Sequence, residues 1–175
     1  ADNLHVYRSW ASGTVTGSAE LGGLIGRLDE GLIEDSYATG DVLGRMDSNV
    51  GGLVGEIDLA VIRGSFATGD VTTEGDDAGG LIGDVDEADI YESYATGNVI
   101  GAETAGGLVA YLNGGSEVRD SYARGDVTGG DEVGGLVGRS YESDIVNSYA
   151  TGIVSQIATI PGGLLGSNTS NSTTT

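Results

Sequence analysis

Two short phrases alternate along the chain, and in both of them apolar residues are interrupted by small ones. The first reads Ser-aromatic-Ala-Thr-Gly in most copies and begins at Ser9, Ser36, Ser65, Ser93, Ser121 and Ser148. The second reads Gly-Gly-Leu-apolar-Gly and begins at Gly22, Gly51, Gly79, Gly106, Gly134 and Gly162. Successive copies lie 27 to 29 residues apart. Self-similarity at a fixed period predicts a repeat protein with six units.

Glycines at fixed places in the apolar phrases disfavour helices, because each costs about 1 kcal/mol relative to alanine in a helix interior. Short runs of Val, Ile, Leu, Thr and Tyr broken by glycine instead predict strands that meet at tight corners. We therefore predict an all-β parallel β-helix, or β-solenoid, of about six coils with about three short strands each. Right-handed winding is the commoner case for coils of this length, so we expect it here. Residues 1–166 form the predicted solenoid, and residues 167–175 form a Ser/Thr/Asn-rich polar tail.

Three apolar columns recur once per repeat and are the predicted core. The first contains Val6, Ile33, Ile62, Ile90, Val118 and Ile145. The second contains Val15, Val42, Val71, Val99, Val127 and Val154. The third contains Leu24, Leu53, Leu81, Leu108, Leu136 and Leu164. A fourth column fills a corner or forms a lateral contact stripe, and it contains Ile25, Val54, Ile82, Val109, Val137 and Leu165.

An aromatic column runs through the first phrase, and it contains Trp10, Tyr37, Phe66, Tyr94, Tyr122 and Tyr149. The residues two positions away are polar, including Thr39, Thr68 and Thr96, so alternation along a strand predicts that the rings face outward. The alternative is that the rings stack inside the core. The Ile33 column has the same parity and yet must be buried, so a bulge or corner has to separate the two columns.

The chain is strongly acidic, with 27 Asp and Glu against seven basic residues and a formal net charge of −20. Phosphate neutralisation needs a basic face, so nucleic acid is not an expected partner. Hydrated surface carboxylates are typical of proteins adapted to high salt, where their mutual repulsion is screened. The alternative is an acidic secreted surface in an ordinary medium. The sequence has no cysteine and no apolar run long enough for a membrane helix.

The C-terminal polar tract contains two N-glycosylation sequons, at Asn168 and Asn171. The chain also begins at Ala1 without an apolar leader, as a processed chain or a fragment would. Together these features predict a glycoprotein located outside the cell or at its surface.

The phrases DSYATGDV at residues 35–42, ESYATGNV at 92–99 and VGGLVG at 50–55 and 133–138 resemble the GLUG-motif repeats. Such repeats occur in large bacterial and archaeal surface and secreted proteins, including adhesin-like proteins and some IgA-peptidase-type proteins. The resemblance extends to about Gly166. It implies a β-solenoid that forms the passive part of a larger surface protein.

A column of carboxylates follows the Thr-Gly of the first phrase, and Asp41, Asp70 and Asp126 belong to it. Stacked carboxylates could bind calcium or monovalent cations loosely. We predict no other cofactor and no catalytic residue, because an active site is normally a local break in a repeat and this column is copied through it.

The leading hypothesis is an extracellular structural protein, a cell-surface filament or stalk subunit built by coil-on-coil stacking. An uncovered solenoid edge is a template for another coil, which predicts head-to-tail self-association or incorporation in a larger surface protein. The alternative is an adhesin-type module that recognises a glycan or a cell-surface protein through the aromatic and threonine columns. A polysaccharide-active β-helix enzyme is the remote alternative.

Overall fold

The computed structural model describes residues 4–45, 49–156, 161–169 and 173–174. Within these ranges the chain forms short strands joined by turns, and it contains no helix. The strands stack in parallel into five sheets, which we name A to E in the order in which each coil passes through them. The chain makes six such coils, so the predicted all-β parallel solenoid is confirmed.

Each sheet contains one strand from nearly every coil. Sheet A contains Leu4–Tyr7, Gly31–Glu34, Ala60–Arg63, Asp89–Tyr91, Glu117–Arg119, Asp144–Val146 and Thr173–Thr174. Sheet B contains Trp10–Ala11, Tyr37–Ala38, Phe66–Ala67, Tyr94–Ala95, Tyr122–Ala123 and Tyr149–Ala150. Sheet C contains Val15–Gly17, Val42–Gly44, Val71–Thr73, Val99–Ile100, Val127–Gly129 and Val154–Gln156. Sheet D contains Leu21–Gly22, Asn49–Gly51, Asp77–Gly79, Thr104–Gly106 and Glu132–Gly134. Sheet E contains Ile25–Leu28, Val54–Asp58, Ile82–Asp86, Val109–Asn113, Val137–Tyr141 and Leu165–Thr169.

The coil has five strands, and the predicted number of about three is wrong. The extra strands arise because each phrase contains a corner of its own. In the second phrase the first glycine allows the chain to turn sharply from sheet D into sheet E. A Cβ added at Gly51 would lie 1.9 Å from the Val54 carbonyl oxygen, so only glycine fits this corner.

A residue with a left-handed backbone conformation forms the predicted corner between the Ile33 column and the aromatic column. The residue before each serine of the first phrase has φ near +50°, and these residues are Arg8, Asp35, Gly64, Glu92, Asp120 and Asn147. This residue turns the chain from sheet A into sheet B and interrupts the alternation of a regular strand. Ile33 therefore points inward and Tyr37, four residues later, points outward.

All three predicted core columns are buried in the middle coils, but they divide into two clusters. The larger cluster contains the Ile33 and Leu53 columns, and the smaller one contains the Val42 column packed against Val50. The fourth apolar column is also buried in the larger cluster, with Val54 fully covered. This column therefore fills the corner and does not form a lateral stripe.

Small residues bring sheet B close to the D–E corner. The second glycine of each Gly-Gly pair packs against an alanine of sheet B, and a Cβ added at Gly52 would lie 2.8 Å from the Ala67 Cβ. The same Cβ would lie 2.2 Å from the Gly80 carbonyl oxygen of the next coil. The coil is thus narrow at this point because neither partner carries a larger side chain.

A ladder of serines connects the coils from inside. The backbone N–H of each serine donates to the hydroxyl oxygen of the equivalent serine in the next coil, as from Ser65 to Ser93 at 3.2 Å. That hydroxyl in turn donates to the carbonyl oxygen two residues before it, as from Ser93 to Tyr91 at 2.7 Å. The ladder runs through Ser9, Ser36, Ser65, Ser93, Ser121 and Ser148. Every buried polar group in it is therefore satisfied without water.

The solenoid continues beyond the predicted boundary at residue 166. Strand Leu165–Thr169 pairs with Val137–Tyr141 on sheet E, so the first residues of the predicted tail lie within a sheet. Thr173 and Thr174 then pair with Asp144 and Ile145 and add a seventh strand to sheet A. The boundary of the solenoid therefore lies further along the chain than the polar composition predicts.

Candidate functional site

The aromatic column lies on the outer side of sheet B, as predicted. The six rings form a parallel stack with centroid separations of 6.1, 4.8, 4.8, 4.9 and 5.2 Å from Trp10 to Tyr149. The interplanar angles do not exceed 9°. The spacing is that of neighbouring strands, because each ring belongs to one rung of the sheet.

The rings cover each other's faces along the ladder. Only ring edges and tyrosine hydroxyls therefore remain accessible at Tyr37, Tyr94 and Tyr122, which are all half-buried. Burial between its neighbours raises the pKa of the Tyr94 hydroxyl. Open ring faces occur at the two ends, where Trp10 is 62% and Tyr149 is 45% exposed. A flat ligand can thus stack only on the ends of the ladder.

The threonine column lies beside the rings at the corner between sheets B and C. Thr39, Thr68 and Thr96 are exposed, and their backbone N–H groups bond to alanines of the preceding coil. Arg124 takes the threonine position in the fifth coil, and its guanidinium lies 4.8 Å from the centre of the Tyr122 ring. The structure therefore brings the predicted ligand-binding residues together on one side of the rod.

The predicted cation column has a structural role in the coil-to-coil contact. In each residue of this column, one side-chain oxygen accepts a hydrogen bond from the backbone N–H of the equivalent residue in the next coil. The acceptors are Asp41, Asp70, Asn98 and Asp126, at distances of 2.8 to 3.0 Å. One carboxylate oxygen of each aspartate is thus engaged, and loose cation binding by Asp41, Asp70 and Asp126 stays a prediction. Among the described residues, no group of three or more His, Cys, Asp or Glu side chains is arranged to hold a metal ion.

The two predicted glycosylation sites lie near the last coil. Asn168 is exposed in strand Leu165–Thr169, and it is in register with Ser140, which is buried in the preceding coil. Asn171 lies outside the described residues. Occupancy of both sequons stays a prediction.

A groove between sheets D and E is a feature that column-by-column reading of the sequence missed. Residues seven positions apart face each other across the Gly-Gly corner. In the second coil Asn49 donates to Glu56 at 3.3 Å, and in the fifth coil Arg139 lies 3.6 Å from Glu132. Between the fourth and sixth coils this groove widens into an open cleft of about 600 Å³, which Glu132, Arg139 and Ser167 help to line.

The third coil differs, because two carboxylates, Asp77 and Asp84, occupy the facing positions. Burial and, to a smaller extent, the nearby charges of Asp77 and Glu56 together raise the pKa of Asp84 to about 7. Burial also raises the pKa of Asp77 to about 6, although a hydrogen bond with Thr104 opposes this shift. At neutral pH this coil therefore carries a partly protonated carboxyl pair where the second and fifth coils have complementary partners.

Both end coils expose groups that continue in the ladders between the other coils. The Ser148 backbone N–H has no partner within the part of the chain that the structure describes, whereas the equivalent Ser121 N–H donates to the next coil. At the other end Ser9 Oγ donates to Tyr7 but accepts no N–H from a described residue. The open donor and the open acceptor lie at opposite ends of the same ladder.

These features define a β-solenoid repeat protein whose regular columns are interrupted mainly at its ends and in the D–E groove. The sequence profile of the GLUG motif matches residues 17–43, 47–72, 101–128 and 129–155, which is more than half of the chain. The chain therefore belongs to the GLUG-motif family. No curated protein matches it. None of the described residues form a helix that could cross a membrane.

Proposed function

We propose that this chain is an extracellular structural module, a filament or stalk subunit at a cell surface, which is extended by further coils stacked on its ends. The observation that carries the proposal is that the serine and aromatic ladders reach both end coils with complementary open groups. The further coils belong either to the same polypeptide or to another copy of the chain. The proposal assigns no enzymatic role to the chain.

The open ring faces support extension along the rod axis. A coil placed before Trp10 or after Tyr149 would cover an aromatic face that the ladder leaves exposed, at the spacing that the other rings already have. Offset stacked aromatic pairs contribute about 0.5–1.5 kcal/mol beyond their buried area. Ile153 would also be covered, and it is 68% exposed in the last coil.

The serine ladder gives the extension a direction. An N–H in one coil donates to a hydroxyl in the next, so the Ser148 N–H matches the Ser9 hydroxyl of a following copy. Two like ends would present two donors or two acceptors to each other. Head-to-tail stacking is therefore favoured over tail-to-tail contact.

Strand Thr173–Thr174 bears on which coil comes next. It occupies the place on sheet A directly after Asp144–Val146, where a stacking copy would put its own strand Leu4–Tyr7. A whole second copy would therefore have to displace Thr173–Thr174, whereas continuing residues of the same polypeptide would not.

Electron microscopy of the purified chain in molar salt tests the proposal. Six coils at strand spacing make a rod of about 29 Å. We expect rods many times longer than this, and removal of residues 170–175 should lengthen them if a second copy competes with Thr173–Thr174. Trp10→Glu combined with Tyr149→Glu should leave single rods, whereas Thr68→Glu, in the middle of the rod, should not. Single rods at every concentration, with and without residues 170–175, would refute assembly from copies of this chain.

The adhesin-type function is the second proposal, and the exposed threonine column beside the tyrosine hydroxyls favours it. Because the ring faces are covered, a glycan or protein ligand would be held by hydrogen bonds to these hydroxyls. Tyr94→Phe and Thr96→Val should then weaken binding in a glycan array without loss of folding. Binding that is unchanged in both variants would contradict this proposal.

A further inference from the structure

The outer side of sheet C differs from the rest of this acidic molecule. Its six strands contain no Asp, Glu, Arg, Lys or His. The outward residues form one column in continuous register, and they are Thr16, Leu43, Thr72, Ile100, Thr128 and Ser155. Leu43 is 42% and Ile100 is 50% exposed. We call this column the sheet C face.

The other sheets offer no comparable surface. The outward columns of sheets A and E carry charged residues in most coils, such as Arg63 and Glu56, and that of sheet D carries Asp77 and Glu132. Sheet B has no charged residue in its strands, but Arg124 lies over its rings. Within the described part of this chain of net charge −20, the sheet C strands therefore offer a face that another acidic surface can approach without meeting charged strand residues.

We infer that two copies of this chain pair side by side through the sheet C face, with a two-fold axis parallel to the rod. The occupant is a second copy, because its own sheet C face is equally uncharged and has the same strand spacing, so that equivalent rungs can meet. The two-fold axis places Leu43 opposite Leu43 and Ile100 opposite Ile100 of the second copy. Apolar side chains thus meet apolar ones, and threonines meet threonines between them.

The size of the face sets the strength of the pairing. Six strands of two or three residues make a surface of about 10 by 29 Å. A standard protein interface buries about 800 Å² on each partner, so a single pair of chains associates weakly. Modules joined along one rod would present the face repeatedly, and the rods would then bind through many such contacts at once.

Salt strengthens the pairing, because acidic residues border the face although none lies within it. Asp41 and Asp70 precede Leu43 and Thr72 by two residues and are exposed. Their repulsion across the contact is screened at molar ionic strength, where the Debye length is about 3 Å. A pairing held by ion pairs would show the opposite dependence on salt.

Single cysteines test the inference directly, since the chain has none of its own. In molar salt with a mild oxidant or a short thiol cross-linker, Thr72→Cys should form dimers at least about tenfold faster than Thr68→Cys, because pairing raises the effective concentration of the thiols. Thr68 is an exposed threonine of the same coil outside the face. Equal rates for the two variants would overturn the inference.

The direction of the pairing has its own readout. With a two-fold axis parallel to the rod, Leu43→Cys and Thr128→Cys each cross-link to themselves, whereas an antiparallel pair would place Leu43 opposite Thr128. Cross-links that form only when the two variants are mixed would overturn this arrangement. Contact between rod ends cannot join two Thr72→Cys chains, because Thr72 lies in the third of six coils. The test therefore fails or succeeds independently of the proposed axial stacking.

Charge placed on the face is the second test. Leu43→Glu with Ile100→Glu should weaken association measured by sedimentation at least about tenfold, because each carboxylate would be desolvated in the contact. Leu59→Glu is the matched control, since Leu59 is 51% exposed away from the face and Glu87 has the equivalent position in the next coil. Association that survives the double variant would overturn the inference, and circular dichroism checks that each variant is folded.

Discussion

The carboxyl pair of the third coil predicts that folding stability falls as the pH rises through neutrality. The pKa of Asp84 rises from 3.8 to about 7 on folding, and that of Asp77 to about 6. Both groups therefore bind a proton more tightly in the folded chain than in the unfolded chain. Their contribution to stability is fully present below about pH 4 and is lost as the pH rises through the folded-state pKa values of about 6 and 7. Above about pH 8 the loss is complete, and stability does not change further through these two groups.

The perturbation that isolates this effect is Asp84→Asn, which keeps the shape of the side chain and cannot ionise. A rise in pKa from 3.8 to about 7 corresponds to roughly 4 kcal/mol. Because the groove is open to solvent and salt screens the neighbouring carboxylates, we expect about half of this value, ~2 kcal/mol, at pH 8. The variant should be more stable than the native chain at pH 8 and nearly equal to it at pH 4.

Urea denaturation at constant ionic strength between pH 4 and 9 measures the effect. The comparison is made between variant and native chain, so that the titration of the many other carboxylates cancels. Asp41→Asn is the charge control, because it removes one negative charge at an exposed position where the fourth coil already has Asn98. A constant difference between Asp84→Asn and the native chain across this pH range would refute the reasoning.

Two further predictions concern the contacts between coils. Gly52→Ala should lower the free energy of unfolding by about 3 kcal/mol in urea titrations, because the new Cβ would lie 2.2 Å from the Gly80 carbonyl oxygen. Gly13→Ala, which adds a Cβ with nothing within 4 Å, should leave it nearly unchanged, and equal losses would contradict the steric argument. Ser93→Ala should cost about 1–3 kcal/mol, because the buried Ser65 N–H loses its acceptor. Amide hydrogen exchange should then be faster at Ser65, and unchanged exchange there would show that the ladder does not hold the coil.

The sequence predicted the coil, the core columns and the outward rings because these positions have one residue type in nearly every repeat. The left-handed corner was predicted only as a bulge or corner somewhere between the Ile33 column and the aromatic column. Its positions hold residues as different as Arg8, Asp35 and Asn147, since backbone geometry and not side-chain chemistry defines them. Strands of two residues, such as Tyr37–Ala38, are likewise too short to give a pattern of their own.

The D–E groove was missed for a related reason. Its facing positions differ in chemistry from coil to coil, with Asn49 and Glu56 in one coil and Glu132 and Arg139 in another. A column that varies looks like a tolerant surface when each position is read alone. The pairs match only when residues seven apart are read together, and that spacing follows from the turn at the Gly-Gly corner.

The ladders differ in where they stop, and this difference determines which contacts are available at the ends. The aspartate ladder lies within the chain, because Thr14 and Ile153 take its positions in the first and last coils. The serine and aromatic ladders instead reach both end coils. The contacts that these two ladders would make at the ends are therefore neutral, like those on the sheet C face. Salt that screens the repulsion between chains of charge −20 leaves such contacts intact, so high ionic strength should favour axial and lateral association together.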